Sequence, residues 1–338
     1  METNYNIGDI NTKFLTLNNL QKILLIQVSQ DDAVRPKVVA LEFGNEMDQA
    51  TARKVTHSAT FMPDSVKKIL QHAPDVFGNP YKEYFDVFKC IWEINSKLPE
   101  EKKIFICLLD PAGVQDSFNQ TSIQRSRDRD MSMFEKLRAD LINGSKVIFY
   151  AGQAHTQRQV RGYKPRNREI CYNYPSAGFL IKSMYPNDVY TIDLWASVNT
   201  GLDYAVNPQT GKWFEKCDGL YDRAFEINGN KPCGFDISGS VWGDITMEDY
   251  FSHPGKEDDF YQAHPTDANP YTKDIRLSKL IDGIVFIKPS SEFKGGTLID
   301  IYTDDFIEVC RRRSGGVLNT PSDILKEVNE WHPLMQLP

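Results

Sequence analysis

The sequence lacks the short motifs that mark several large enzyme classes. It contains no GxGxxG at a helix start, no GxxxxGK[ST], no GxSxG and no HExxH. The first two motifs cradle phosphate groups, the third exposes a serine nucleophile, and the fourth holds a catalytic zinc ion. Their absence argues against dinucleotide enzymes, P-loop NTPases, typical α/β-hydrolases and zincin-type proteases.

Long apolar runs and closely spaced cysteines are also missing. No stretch approaches the roughly 18 apolar residues of a membrane span, and the polar residues 1–11 do not resemble a secretory leader. We therefore expect a cytoplasmic chain without membrane insertion, unless it was cut from a longer protein that had its own leader. The cysteines form no CxxC pair, so reduced and mostly buried thiols are expected: they are Cys90, Cys107, Cys171, Cys217, Cys233 and Cys310.

An excess of basic charge is absent as well. The 338 residues include 39 Lys and Arg against 46 Asp and Glu, which gives a net charge of −7. Such a chain has no overall field that attracts nucleic acid or anionic lipid. With 41% hydrophobic and 25% charged residues, the composition is that of a globular protein. We expect a small-molecule substrate or ligand and no nucleic-acid partner; the sequence does not define an oligomeric state.

Apolar runs alternate with segments of helical periodicity. Runs of this kind, without polar alternation, are typical of strands covered on both faces, and helices between them are the usual crossovers of a parallel sheet. The sequence predicts an α/β fold with a layered, mainly parallel central sheet flanked by helices. Strands are predicted at 37–42, 103–109, 146–151 and 189–194, and helices at 17–28, 81–97, 124–142 and 176–184.

The regular pattern ends near residue 195 and returns near residue 276. Residues 196–275 are rich in Asn, Asp, Gly, Pro and aromatic side chains, which predicts an irregular cap made of short elements that shapes a substrate pocket. A strand at 283–288 and a helix at 322–330 follow. We therefore predict an α/β core over 1–195, the inserted cap over 196–275, and a segment over 276–338 that completes the core.

Polar residues stand where the predicted parallel strands end. They are Glu42, Asp110, the segment Gly152-Gln153-Ala154-His155, and Asp193. Open α/β sheets place their sites at this edge, so these side chains should face one crevice. His155 offers a general base or a metal ligand near neutral pH, although a locally satisfied histidine would fit equally. For Glu42 two interpretations are open: it is a carboxylate on the surface, or it is a functional residue that acts as a general base or a metal ligand.

A cluster of charged residues opens the helix predicted at 124–142. It contains Arg125, Arg127, Asp128, Arg129 and Asp130. One interpretation is a solvated first turn in which the aspartates favour the positive end of the helix dipole. In the other, one arginine points into the crevice and holds a carboxylate or an anionic substrate group.

Taken together, several of these segments resemble one superfamily. Its members share a strand ending in Ala-Leu-Glu, an Arg-Asp-x-x-Met helix start and a later Gly-x-x-His-like turn. Matching segments here are Val39-Ala40-Leu41-Glu42, Arg127-Asp128-Arg129-Asp130-Met131 and Gly152-Gln153-Ala154-His155-Thr156. The chain thus resembles, over residues 5–195 and 275–290, the superfamily that joins erythromycin esterases, ChaN-like haem-binding lipoproteins and Tiki/TraB metalloprotease-like proteins.

The resemblance implies hydrolysis of an ester or amide bond. His155 and Glu42 would activate water, alone or with a divalent metal that both would hold, and Arg127 would hold the developing negative charge. Asp9 would be a carboxylate helper. The chain departs from the family at residues 7–12, where Asp9 replaces a glutamate and Asn11 replaces the first histidine.

Substrate contacts are expected from Asn11, Asp110 and Asp193. Because asparagine cannot act as a general base, Asn11 also motivates an alternative. In it, the chain is a non-catalytic ligand-binding or haem-binding module, or a degenerate domain of a larger effector or toxin.

Overall fold

The computed structural model describes most of the chain and divides it into two compact units. The first unit comprises the described residues from 31 to 189 together with those from 297 to 331, and the second comprises those from 190 to 289. The described residues are 31–73, 75–112, 122–158, 160–163, 172–195, 206–207, 212–213, 220–246, 249, 274–289 and 297–331. The helix predicted at 17–28 lies outside them.

The described elements are ten strands and eleven α-helices. The strands are β1 (Val38–Asn45), β2 (Phe105–Asp110), β3 (Val147–Tyr150), β4 (Val160–Tyr163), β5 (Tyr172–Pro175), β6 (Ile192–Leu194), β7 (Val206–Asn207), β8 (Lys212–Trp213), β9 (Cys233–Asp236) and β10 (Gly283–Phe286). The helices are α1 (Gln49–His57), α2 (Pro63–Gln71), α3 (Lys82–Asn95), α4 (Ser122–Ile142), α5 (Gln153–Thr156), α6 (Ala177–Met184), α7 (Leu220–Glu226), α8 (Val241–Asp244), α9 (Leu277–Leu280), α10 (Asp304–Arg313) and α11 (Pro321–Trp331).

The first unit is built on a parallel sheet of three strands in the order β2-β1-β3. Leu41 of β1 lies opposite Leu108 of β2 and Tyr150 of β3, so the three carboxyl ends meet at one edge. These strands confirm three of the predicted apolar runs. The predicted α/β class is confirmed as a mixed fold with a small parallel sheet flanked by helices.

Both faces of β1 are covered. Val39, Leu41 and Phe43 pack into a core with α1, α2, α3, α10 and α11, whereas Ala40 packs with residues of α4 and α6. Successive side chains of a strand point to opposite faces, so a strand covered on both sides must be apolar at nearly every position. This is why β1 reads as a continuous apolar run.

The outer edge of β2 is covered by a side chain. Gln49, at the start of α1, donates from Nε2 to the Ile106 carbonyl at 2.6 Å and accepts from the Leu108 N–H at 2.8 Å. The amide thus occupies backbone groups that an edge strand would otherwise expose.

The second unit has a separate sheet. Its strand β6 pairs in parallel with β10, which pairs antiparallel with β9. The prediction that 189–194 and 283–288 belong to the same sheet as β1 is therefore wrong, although both strands exist. Thr191 secures the pairing, because its carbonyl accepts from the Asp282 N–H and its N–H donates to the Asp282 carboxylate, both at 2.8 Å. Strand periodicity carries no information on such a long-range partner.

Short elements occupy the described part of 196–275, as predicted. They are the β7–β8 hairpin, α7, β9 and α8. The second unit has its own aromatic core, in which Trp195 donates from its indole N–H to the buried Asp222 carboxylate at 2.6 Å. Phe225 stacks on Phe286 in the same core, with 3.8 Å between ring centroids.

The four described cysteines are free thiols. Cys90 and Cys310 are buried, whereas Cys107 and Cys233 are half-buried. The predicted burial is therefore observed for Cys90 and Cys310 and is only partial for Cys107 and Cys233. Considering only the described residues, none of the helices combines the length and the apolar character that crossing a bilayer requires.

Candidate functional site

Three of the predicted site residues meet at the carboxyl edge of the parallel sheet. Glu42 is the fifth of the eight residues of β1 and directly follows the last position paired with β3. Asp110 is the last residue of β2, and His155 lies on α5 just after β3. The structure therefore brings these three side chains together, since Arg129 pairs with both Glu42 and Asp110 and His155 lies next to Glu42. Asp193 lies instead on β6 of the second unit, where it is buried. Asp9 and Asn11 lie outside the described residues.

His155 lies between two carboxylates. Its Nδ1 is 2.8 Å from Oδ1 of Asp130, and its Nε2 is 3.4 Å from Oε1 of Glu42. Oδ1 of Asp130 also accepts the Ala177 N–H at 2.9 Å, and Asp130 is completely buried. A carboxylate can only accept, so Nδ1 carries a proton and Nε2 is the nitrogen that faces Glu42.

Two glycines allow the backbone to place His155. The Gly152 N–H donates to Oε2 of Glu42, and the Gly152 carbonyl accepts the His155 N–H at 2.9 Å. Helix α6 then packs closely against α5, since a Cβ on Gly178 would lie 2.0 Å from the Thr156 carbonyl oxygen. Only glycine permits that approach, and the approach brings the Ala177 N–H to Asp130.

Arg129 connects the other two carboxylates. Its Nε donates to Oδ1 of Asp110 at 2.6 Å, and its Nη2 donates to Oε1 of Glu42 at 2.9 Å. Nη2 also lies 3.4 Å from Oδ2 of Asp110, so the guanidinium contacts both carboxylate oxygens of Asp110. Arg127, the arginine predicted for this place, is exposed and pairs with its neighbour Asp128 at 3.2 Å.

The charges of this cluster are strongly coupled. Burial alone would raise the pKa of Glu42, but the charges of His155 and Arg129 and the hydrogen bonds from Gly152 and Arg129 outweigh it, so this pKa falls to about 2. Burial raises the pKa of Asp110 despite its pairing with Arg129. For Arg129, burial would lower the pKa, but Asp110 and Glu42 raise it well above its usual range. The guanidinium and Glu42 therefore stay charged at neutral pH.

Asp75, which the sequence did not indicate, stands in the same electrostatic environment. It lies in the turn after α2 and is accessible to solvent. The protein around its carboxyl group nevertheless excludes enough water to raise its pKa to about 6, and the charges of Asp110 and Glu42 add to that rise against the opposing charge of Arg129. Its proton affinity therefore differs greatly from that of Glu42.

Aromatic side chains adjoin the carboxylates. Tyr84 of α3 stacks on Phe43 with 4.1 Å between ring centroids, and Tyr150 meets Phe43 edge-on at 5.8 Å. The hydroxyls of Tyr84 and Tyr150 are hydrogen-bonded. Burial raises the pKa of Tyr84, and the nearby charges of Glu42 and Asp75 raise it further. Tyr84 is therefore a neutral phenol beside an acidic group of side chains.

Asp130 could have been recognised from the helix pattern. Its spacing from Met133, Phe134 and Leu137 is three, four and seven residues, and all three of those side chains are buried. An acidic residue in the apolar stripe of a helix needs a buried partner. Since α4 begins at Ser122, Asp130 lies well inside the helix, and the solvated first turn proposed for it is wrong.

The residues present do not fit a divalent metal or an axial haem ligand. Both oxygens of Glu42 are engaged, one by Arg129 and one by the Gly152 N–H, and a guanidinium occupies the place of a further ligand. Both ring nitrogens of His155 face carboxylates. Across the described ranges, no three His, Cys, Asp or Glu side chains are grouped so that they could hold a metal ion.

Comparison with family models, with characterised proteins and with solved structures found no match for this chain. The resemblance noted from the sequence therefore remains a prediction. The contacts among Glu42, Asp110, Arg129, Asp130 and His155 stand on their own geometry.

Proposed function

We propose that the chain is a hydrolase that cleaves an ester or amide bond, with His155 as the general base. One observation carries the proposal: the 2.8 Å contact between His155 Nδ1 and the buried Asp130, with Nε2 turned to the carboxyl edge of the sheet. A histidine oriented in this way through Nδ1 presents Nε2 as a proton acceptor.

In the proposed step, Nε2 of His155 takes a proton from a water molecule. The resulting hydroxide attacks the carbonyl carbon of the substrate. Asp130 and Glu42 stabilise the imidazolium ion that forms between them. When the tetrahedral intermediate collapses, the bond to the alcohol or amine breaks, and the imidazolium gives its proton to that leaving group. The 3.4 Å separation between Nε2 and Oε1 of Glu42 is too long for a strong hydrogen bond, so Nε2 is not committed to Glu42 and can accept a proton from a water molecule that approaches it. Glu42, with a pKa of about 2, is itself a poor base and acts through its charge.

Arg129 is suited to stabilise the oxyanion of the tetrahedral intermediate. Its Nε and Nη2 are committed to Asp110 and Glu42. Among the residues that the structure covers, Nη1 donates to no protein group, so its two N–H bonds remain for a substrate oxygen. A preorganised donor of this kind is worth about 10²–10³ in rate. Arg129 thereby takes the role that the family resemblance implied for Arg127.

The experiment is a hydrolysis screen of aryl esters, alkyl esters and anilides with the purified wild type and His155→Ala, with the metal content of each sample quantified. We expect wild-type turnover and a loss of about 10²–10⁴-fold in kcat/KM in His155→Ala. His72→Gln is the matched control, because His72 is a partly exposed histidine paired with Asp48. Equal rates in wild type and His155→Ala, or no turnover by either, would contradict the proposal.

A non-catalytic ligand-binding module is the second candidate. It is favoured by Asn11, which stands where the resemblance calls for histidine, and by the mutual pairing of Glu42, Arg129 and Asp110. Asn11→His separates the two candidates. Activity that appears only in this variant would support the binding module, and an active wild type would exclude it. A Soret band in the purified protein would identify the ligand as haem.

A further inference from the structure

We propose that Lys136 is a positioning residue of this site, which fixes the guanidinium of Arg129 by holding the backbone that carries Asp110. The inference rests on the proposed hydrolase function and adds to it a residue that does not touch the reacting atoms. Its basis is a set of hydrogen bonds that runs from one face of α4 to the end of β2. Lys136 acts on the site through Asp110 and Arg129.

The pairing of β1 with β2 is irregular beside the site. Leu41 lies opposite Leu108, and Asn45 lies opposite Asp110, so four steps along β1 match two steps along β2. A bulge of this kind interrupts the ladder of backbone hydrogen bonds and re-aims the side chains of the bulged strand. Glu42 lies within the bulge, on the side from which the chain reaches Asp110. The position of Asp110 therefore depends on side-chain contacts as well as on strand pairing.

Lys136 supplies the central contacts. Its Nζ donates to the Leu109 carbonyl at 2.9 Å and to the Asp110 carbonyl at 3.2 Å, and it lies 2.9 Å from Oε2 of Glu46. A lysine ammonium group has three donors and no acceptor, so each of its donors has a partner here. Ser132, one turn earlier in α4, donates to the same Leu109 carbonyl at 3.1 Å. The ammonium group thus joins two carbonyls of β2 to a carboxylate that follows β1.

Glu46 extends these contacts to the residues after β2. Its Oε1 accepts the Ala112 N–H at 2.8 Å, while its Oε2 pairs with Lys136. The hydrogen bonds from Ala112 and Lys136 lower the pKa of Glu46, so Glu46 keeps its charge at neutral pH. Asn45 donates from Nδ2 to the Pro111 carbonyl at 3.2 Å. The last two residues of β2 and the two residues after it therefore each have a backbone group bonded to a side chain.

Arg129 and Lys136 contact Asp110 from the same face of α4. They are seven residues apart, which is about two turns of a helix. Arg129 binds the carboxylate of Asp110, with 2.6 Å between Nε and Oδ1, and Lys136 binds its carbonyl. Because a guanidinium group is planar and rigid, the two nitrogens that bind carboxylates set the direction in which Nη1 points. A shift of Asp110 would therefore displace the donor proposed for the oxyanion.

Such a displacement should lower the rate more than it weakens substrate binding. The oxyanion develops only as the tetrahedral intermediate forms, so a misplaced Nη1 raises the barrier without loosening the ground-state complex. A misplacement of about 1 Å can cost about 10²-fold in rate. We expect Lys136→Met to lower kcat for ester hydrolysis by about 10–10²-fold with little change in KM. Lys136→Arg, which can still donate to the two carbonyls, should recover part of the rate.

A double-mutant cycle with Arg129→Lys separates positioning from a general structural role. Arg129→Lys keeps a positive charge but lacks the Nη1 donor, so Lys136→Met should change kcat much less in that background than in the wild type. Effects that multiply would overturn the proposal, because they would show that Lys136 does not act through Arg129. Glu46→Gln provides the same comparison if Lys136→Met does not fold. It weakens the hold on Lys136, and it should give a smaller loss of kcat with the same dependence on Arg129.

The matched control is Arg138→Met, which removes a cation of the same helix that pairs with the exposed Glu135 at 2.8 Å. It should leave kcat and KM unchanged. If Lys136→Met hydrolyses esters at the wild-type rate while His155→Ala does not, the positioning role is wrong and the hydrolase proposal stands. If the wild type hydrolyses no ester, both proposals fail.

Discussion

At the residue scale, Arg129 supplies the positive charge that compensates the acidic cluster in the folded protein. It pairs with Asp110, whose side chain is fully buried, and with Glu42, which is 21% exposed. Removing one partner of a buried ion pair leaves charge without compensation, which is far more costly than losing a surface pair. The arginine therefore has a structural task in addition to the proposed binding of an oxyanion.

We predict that Arg129→Met lowers the free energy of unfolding by about 3–5 kcal/mol. Arg127→Met is the matched control, because Arg127 lies on the same helix but is exposed, and it should change the stability by less than about 0.5 kcal/mol. Urea unfolding followed by circular dichroism measures both. Equal effects of the two substitutions would show that Arg129 does not compensate the carboxylates.

The sequence could predict the carboxylates and the histidine better than the arginine. Glu42, Asp110 and His155 follow apolar runs, and the ends of parallel strands must meet at one edge. Arg127 and Arg129 lie about 200° apart around a helix axis, on either side of the buried stripe, so periodicity cannot decide which one faces the sheet. Asp75 has no sequence signal, because a loop aspartate near Gly78 looks like ordinary turn chemistry.

At the scale of elements, the contact between α5 and α6 joins the fold to the site. Helix α5 has only four residues, so it has little stability of its own. It is held because Gly178 of α6 lies against the Thr156 carbonyl and Ser176 donates to the Gln157 carbonyl at 2.5 Å. The position of His155 therefore depends on how closely α6 can approach.

We predict that Gly178→Ala destabilises the protein by about 1–3 kcal/mol, because the new methyl group would overlap the Thr156 carbonyl and force the two helices apart. Any activity that depends on His155 should fall with it. Thermal unfolding and ester hydrolysis measure the two effects. Ser183→Ala, at an exposed position of the same helix, should change neither the stability nor the rate of hydrolysis. A Gly178→Ala variant with unchanged stability and rate would contradict the packing argument.

The sequence predicted the positions of the strands better than it predicted which strands pair with one another. Runs such as Val38–Leu41 reveal a strand covered on both faces because burial alone dictates their composition. The pairing of β6 with β10 depends on residues about 90 positions apart, such as Thr191 and Asp282, and no local pattern records it. The sequence therefore predicted where strands form but assigned two of them to the wrong sheet.

At the scale of the whole molecule, the chain contains two units, each with its own hydrophobic core. The sequence predicted a boundary near residue 195, where the regular pattern stops, but it assigned the predicted strand at 283–288 to the first core. Both carboxylates bound by Arg129 lie in the first unit. Its stability should therefore respond to acid through Glu42.

The folded-state pKa of Glu42 lies below its ordinary value of 4.5, at about 2. A carboxyl group whose pKa is lowered by folding contributes stability above its unfolded pKa, and this contribution is lost as the pH falls towards the folded value. We predict that Glu42→Gln lessens the loss of stability between about pH 5 and about pH 2. Urea unfolding across that range measures it, with Glu101→Gln as an exposed control; identical pH dependence in wild type and Glu42→Gln would contradict the assignment.

The central claim is that Asp130 orients His155 for proton transfer, and one comparison tests it most directly. Asp130→Asn and Asp128→Asn each remove one carboxylate from the same helix, but only Asp130 contacts His155. The quantity to measure is kcat/KM for ester hydrolysis by both variants and by wild type. We predict a loss of about 10²-fold or more in Asp130→Asn and wild-type activity in Asp128→Asn. Equal activity in Asp130→Asn and wild type would contradict the claim.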